Sequence, residues 1–155
     1  MNPGVNIQVF IDLENIQPPF AEERARYRLS SLFQGIEKYL LANGYQIERI
    51  WACARERLPK ETKRAIDSVF SEFGAIMSWT RHVIADKEIE RELLRRRYDG
   101  DLSPAILFIS GDNDFAEVLC GLRANGTEIL VSGRQVGRRL KANADRVVDY
   151  IDLMR

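Results

Sequence analysis

Residues 105–114, AILFISGDND, decide how this chain folds. The unbroken apolar run from Ala105 to Ile109 suits a strand buried on both faces, and Ser110-Gly111-Asp112-Asn113-Asp114 ends it with residues that favour turns. Phe115, Val118, Leu119 and Leu122 then recur at helical spacing, and Asn125-Gly126 supplies a helix stop. The segment therefore reads as strand, acidic turn, helix.

The same grammar runs through the rest of the chain. Val5 to Leu13 is a first strand, with Val9-Phe10-Ile11 continuously apolar, and it also ends on an acid, Asp12. After a polar connection around Pro18 and Pro19, the spacing of Leu29, Leu32, Phe33, Ile36 and Leu40 predicts an amphipathic helix that stops at Asn43-Gly44. Gln46 to Ala54 reads as a second strand. Pro59 opens a helix with Ala65, Ile66, Val69, Phe70 and Phe73 on one stripe. Ala75 to Trp79 is a short third strand, Asp86 to Tyr98 a charged helix, Glu128 to Ser132 a fifth strand and Val136 to Ala144 a short helix. Val147 to Leu153 fits a final strand or helix. Strands alternating with helices imply an α/β domain: three Rossmann-like layers around a mostly parallel sheet of five or six strands, spanning residues 1–155 as one unit.

In such a sheet, ligands bind beyond the carboxyl ends of the strands, where the strand order reverses. Asp12 follows NIQVFI and Asp112 and Asp114 follow ILFISG, so all three fall at strand ends that adjacent central strands would bring together. Each alone could simply cap a turn or helix. Together, without basic partners, they would repel and raise their own pKa values unless a cation entered. Oxygen ligands in a chain with a single His point to Mg²⁺ or Mn²⁺ rather than zinc.

Composition narrows the classes. At 155 residues, 45% hydrophobic and 30% charged, the sequence excludes a disordered or collagen-like chain, and no apolar run suffices to span a bilayer. No membrane association is expected. The N-terminal stretch carries Asp12 and Glu14 where a signal peptide would be apolar, which points to a cytoplasmic protein. Cys53 and Cys120, each inside an apolar segment and without a nearby His, read as buried thiols. Lys+Arg and Asp+Glu are each 23, so any affinity for phosphates has to come from local basic patches.

Three patches are candidates: Arg95-Arg96-Arg97, Arg55 with Arg57, and the segment holding Arg134, Arg138, Arg139 and Lys141. The last follows the fifth strand and so shares the sheet edge with the carboxylates, which makes it the best phosphate-binding candidate. Trp79 and His82 could stack on a base, although a strand-end aromatic and a surface His is the blander reading.

FIDLENI, ADKEIERELL, LFISGDNDFAEVL and GRRLKANADRVVDYIDL, in that order, resemble the motifs of an NYN domain, a PIN-like nuclease family that includes LabA-like proteins. The resemblance covers nearly the whole chain and rests most on Asp-x-x-Asn and Ser-Gly-Asp-x-Asp-Phe. It implies a compact α/β fold, an acidic cluster binding Mg²⁺ or Mn²⁺, and ribonuclease activity on RNA, single-stranded RNA included. Carried over by motif, Asp12, Asp86, Asp112 and Asp114 would be the catalytic metal ligands. Asn15, Ser110 and Asn113 would lie beside them as substrate contacts, with Asn15 holding the phosphate, orienting Asp12 or stabilising a turn. The middle motif offers Glu90 or Glu92 as a further acid, with a solvated charged helix face as the alternative for both.

Two other readings stay open: a PIN-like module that binds nucleic acid or protein without catalysis, and a Mg²⁺-dependent phosphatase with Asp12 as nucleophile. Tyr150, Ile151, Leu153 and Met154 are expected to pack internally, with a homodimer contact as the alternative.

Overall fold

The computed structural model describes residues 4–16, 22–81 and 84–154, and of residues 22–25 the backbone. Its elements are β1 (Val5–Asp12), α1 (Leu13–Ile16), α2 (Glu22–Ala42), β2 (Tyr45–Arg55), α3 (Lys60–Glu72), β3 (Ile76–Thr80) and α4 (Ala85–Asp99). There follow β4 (Ala105–Ile109), a 3₁₀ turn (Asn113–Phe115), α5 (Ala116–Ala124), β5 (Glu128–Gly133), α6 (Arg138–Ala142), β6 (Arg146–Asp149) and α7 (Tyr150–Met154).

The six strands form one sheet in the order β3-β2-β1-β4-β5-β6, and every neighbouring pair is parallel. The chain starts at the centre, winds outward through β2 and β3, then returns to the other side of β1 with β4. The order therefore reverses between β1 and β4, the two strands whose ends carry the acids.

Both sheet faces are covered, which is why the central strands are apolar throughout rather than alternating. Val9, Ile11, Leu107 and Ile109 join Leu29, Phe33 and Ile36 of α2 and Phe70 of α3 in one core. Phe10, Ile106 and Phe108 turn the other way, onto Ile89 and Leu93 of α4 and Leu119 of α5. Side chains two apart on a strand share a face, so Asp12 continues the side of Phe10, and Ser110 that of Phe108.

Three details differ from the sequence reading. A single helical turn, α1, directly follows Asp12. The last segment is both a strand, β6, and a helix, α7, rather than one or the other. Cys120 is exposed, because it lies on the outward side of α5 beside the buried stripe of Val118, Leu119 and Leu122, whereas Cys53 is buried as expected. Burial also pushes the Cys53 thiol up to about 12, which keeps it protonated and inert. Of the C-terminal residues, Leu153 is buried, Tyr150 and Met154 are half-buried, and Ile151 is exposed. Among the described residues, no helix is long and apolar enough to cross a membrane.

Candidate metal centre at the switch point

Asp86 from the first turn of α4 and Asp112 and Asp114 from the loop after β4 converge, each offering a carboxylate oxygen within 4.8 Å of the others. Asp86 and Asp112 are half-buried and Asp114 is exposed, so the cluster opens to solvent. Local chemistry sets the loop. The Asp112 carboxylate accepts from the Asp114 amide at 2.9 Å, capping the 3₁₀ turn that throws both side chains to the same side.

Asp12 lies behind this trio, only 6% exposed. Its Oδ2 accepts from the Ser110 hydroxyl at 2.9 Å, and the Ser110 oxygen in turn accepts from the Asp112 amide at 3.2 Å. One serine thus ties the end of β1 to the acidic loop. Burial is the main force on Asp12 and pushes its carboxyl up to about 6. The Ser110 hydrogen bond opposes this, the charges of Glu14 and Asp112 add to it, and the Asn15 amide opposes it again.

Asn15 joins the same two strand ends from the other side, its Oδ1 accepting from the Gly111 amide at 2.8 Å. Asn113 serves the fold: its Oδ1 accepts from the amides of Arg139 and Leu140 at 3.1 and 3.2 Å and so caps α6. The two glycines at this contact leave no room for a side chain. A Cβ at Gly111 would lie 1.7 Å from the Gln135 carbonyl, and one at Gly137 2.0 Å from Asn113 Oδ1. This close approach clamps the segment 133–139 against the acidic loop. Arg134, Arg138 and Arg139 are exposed there and pair with no carboxylate among the described residues.

The undecided acids of α4 separate clearly. Glu92 holds Arg96 at 2.8 Å and Arg95 at 2.6 Å, while Arg96 is itself 2% exposed, stacked over Phe10 and reaching Gln8. Glu90 pairs with Lys87 at 3.5 Å, and neither acid belongs to the trio. Within the Arg95-Arg96-Arg97 patch, the middle member is buried and Arg95 is also shared with Asp99, which leaves Arg97 exposed without an ion pair among the described residues. Arg55 turns to Glu14, its backbone amide donating at 2.7 Å. Trp79 is half-buried, its Nε1 donating to Asp67 and Lys63 lying over its ring, and His82 falls outside the described residues. Glu14 is the acid the sequence reading passed over. Its signal was its place two residues after Asp12, but only the helical turn α1 shows that it points to Arg55 rather than into the trio.

The donor set suits a hard divalent cation. Every ligand atom is an oxygen, none of the three carboxylates is ion-paired among the described residues, and one carboxylate is open to solvent.

No curated protein matches the sequence. Among solved structures, a crystal structure of a protein of unknown function from Vibrio parahaemolyticus superposes with a TM-score of 0.72 at 15% identity, covering 96% of this chain and 94% of that one. The two share this fold. The family model for the NYN domain matches residues 6–152, a span that includes all but the first residue of β1, the acidic loop, and α4 with Asp86. The chain belongs to the NYN domain family, with the PIN-like nuclease fold.

Proposed function

We propose that this protein is a metal-dependent ribonuclease that hydrolyses RNA phosphodiesters at the carboxylate cluster. The observation that carries this reading is the convergence of Asp86, Asp112 and Asp114 within 4.8 Å at the point where the strand order reverses, with Asp12 buried behind them. Asp86, Asp112 and Asp114 would hold Mg²⁺ or Mn²⁺, and Asp12 would complete the negative field. When bound, such an ion lowers the pKa of water and offsets the charge that builds on a phosphodiester during hydrolysis.

The chain's own groups do the rest. Ser110 fixes the Asp12 carboxylate and the Asp112 backbone together, so that the acids keep their spacing as charge changes. Asn15 holds the Gly111 amide and thereby the start of the acidic loop. Arg134, Arg138 and Arg139, which pair with no carboxylate among the described residues, offer guanidiniums to phosphates along the rim, which a protein of zero formal net charge needs locally. Asp12 is a poor candidate for a phosphatase nucleophile, since it is buried and one carboxylate oxygen is taken by Ser110.

The test is cleavage of labelled single-stranded RNA, structured RNA and DNA with Mg²⁺ or Mn²⁺. RNA cleavage abolished by EDTA supports the reading. Cleavage of none of the three under either metal refutes it.

A further inference from the structure

A second feature opens on the same rim, on the α2 and α7 side of the sheet. It is a cavity of about 230 Å³ with Ile16, Leu29 and Leu32 as its apolar floor, Tyr150 as a wall, and Arg28 and Arg134 at its edge. Its floor and its edge are both tied to the acidic loop. Ile16 directly follows Asn15, whose Oδ1 holds the Gly111 amide at 2.8 Å. Arg134 directly follows Gly133, where a Cβ would stand 3.1 Å from the same Gly111 nitrogen. The cavity is therefore one residue removed, along two separate chain segments, from residues that touch the loop carrying Asp112.

Its chemistry is that of a flat, apolar, anionic guest. Arg28 and Arg134 are exposed, pair with no carboxylate among the described residues, and both lie close enough to the Tyr150 hydroxyl to act on it electrostatically. The volume falls below the roughly 300 Å³ at which pockets for drug-sized ligands begin, which suits one heterocycle. A folded protein partner would call for a broad apolar surface, and this opening is small and edged with charge. An aromatic wall for stacking, an apolar floor and two guanidiniums fit a nucleobase with its flanking phosphates.

We propose that this cavity receives one nucleobase of the RNA strand held at the carboxylates, stacked against Tyr150, with Arg28 and Arg134 on the adjoining phosphates. The proposal rests on the ribonuclease reading for its substrate, and it adds a specificity site: cleavage occurs at a set spacing from the base that fills the cavity.

The experiment measures binding, so that it is separable from catalysis. A short labelled single-stranded RNA is titrated with the Asp112→Asn protein in Mg²⁺, and each nucleotide in turn is made abasic. We expect one position at which loss of the base weakens binding about ten-fold. In protein also carrying Tyr150→Ala, that abasic change should cost nothing further. Because Tyr150 is half-buried, the exposed pair Arg28→Gln and Arg134→Gln provides a second arm: it should weaken binding for every RNA and flatten its salt dependence.

Binding with no base-dependent position, or an abasic penalty undiminished by Tyr150→Ala, would overturn the cavity's role while leaving the nuclease reading in place. Base-dependent binding by a wild-type protein that cleaves nothing would support the cavity and refute the nuclease. No RNA binding at all would refute both. Ile151 also lines the cavity, and a dimer converted to a monomer by Ile151→Glu, with RNA affinity unchanged, would assign the cavity to a second copy of the chain and overturn the proposal.

Discussion

Ser110 donates its hydroxyl proton to Asp12 Oδ2 at 2.9 Å across the boundary between the two central strands, and its oxygen receives the Asp112 amide. This single side chain couples the buried acid of β1 to the solvent-facing acids after β4. Ser110→Ala removes both contacts while leaving every carboxylate in the chain. We expect metal affinity or turnover to fall about 10–100-fold, the usual effect of losing a group that orients a ligand. Calorimetric Mn²⁺ titration together with single-turnover cleavage checks this; unchanged values in both would show that the serine only packs.

Asp12 should make the protein less stable when no cation is present. Its carboxyl titrates near 6 in the fold against 3.8 for an ordinary Asp, so ionisation is harder in the folded than in the unfolded chain. Stability from this group is therefore intact below 3.8 and declines as pH rises to about 6, remaining low above it. In EDTA at pH 8, Asp12→Asn should raise stability by about 1–3 kcal/mol, and the gain should vanish near pH 4. Thermal or urea unfolding at the two pH values measures it. A destabilised variant at pH 8 would contradict the assignment of burial as the dominant cause.

Glu92 and Asp86 sit less than two turns apart on α4 and should behave oppositely. Glu92→Gln leaves the buried Arg96 short of its charge partner and should cost about 3 kcal/mol of stability, with metal affinity unchanged. Asp86→Asn should do the reverse, lowering metal affinity at little cost in stability. Urea unfolding and Mn²⁺ titration on both variants give the four numbers. Equal effects of the two substitutions on metal affinity would place Glu92 in the site after all.

Gly111→Ala puts a methyl carbon 1.7 Å from the Gln135 carbonyl, a backbone atom that cannot turn aside. The acidic loop and the segment 133–139 must then separate. We expect a loss of about 1–3 kcal/mol in unfolding free energy, accompanied by weaker metal binding. Retained stability together with full metal affinity would show that the two segments are not interlocked.

The sheet was largely legible because burial on both faces writes itself as apolar runs: AILFI gave β4 with its observed bounds, and NIQVFI placed β1 within a residue. Helix stripes such as Ala65, Ile66, Val69 and Phe70 were equally plain. The acidic loop was legible because Asp112 and Asp114 follow one of the two most apolar strands, and the strand order sets them beside the end that carries Asp12, which itself stands outside the trio. Asp86 came only with the family resemblance, since an acid opening a charged helix looks like any other solvated residue. What stayed hidden depended on side-chain direction in three dimensions. Arg96 sits amid Arg95 and Arg97 yet turns inward to Glu92 and Phe10. Asn113 read as a substrate contact, and its Oδ1 also caps α6 through the Arg139 amide, twenty-six residues further on. Tyr150 read only as a packing or dimer residue and Arg28 not at all, because they line one cavity only where α2 meets α7.

If the acidic cluster cuts RNA with a divalent ion, single-turnover cleavage of labelled single-stranded RNA by wild type and Asp112→Asn over a Mn²⁺ titration shows it. Wild type should cleave in a saturable, EDTA-sensitive way, and Asp112→Asn should lose at least about 100-fold with its unfolding midpoint preserved. Equal cleavage by the two proteins, or a rate indifferent to Mn²⁺, would contradict metal-dependent cleavage at this cluster.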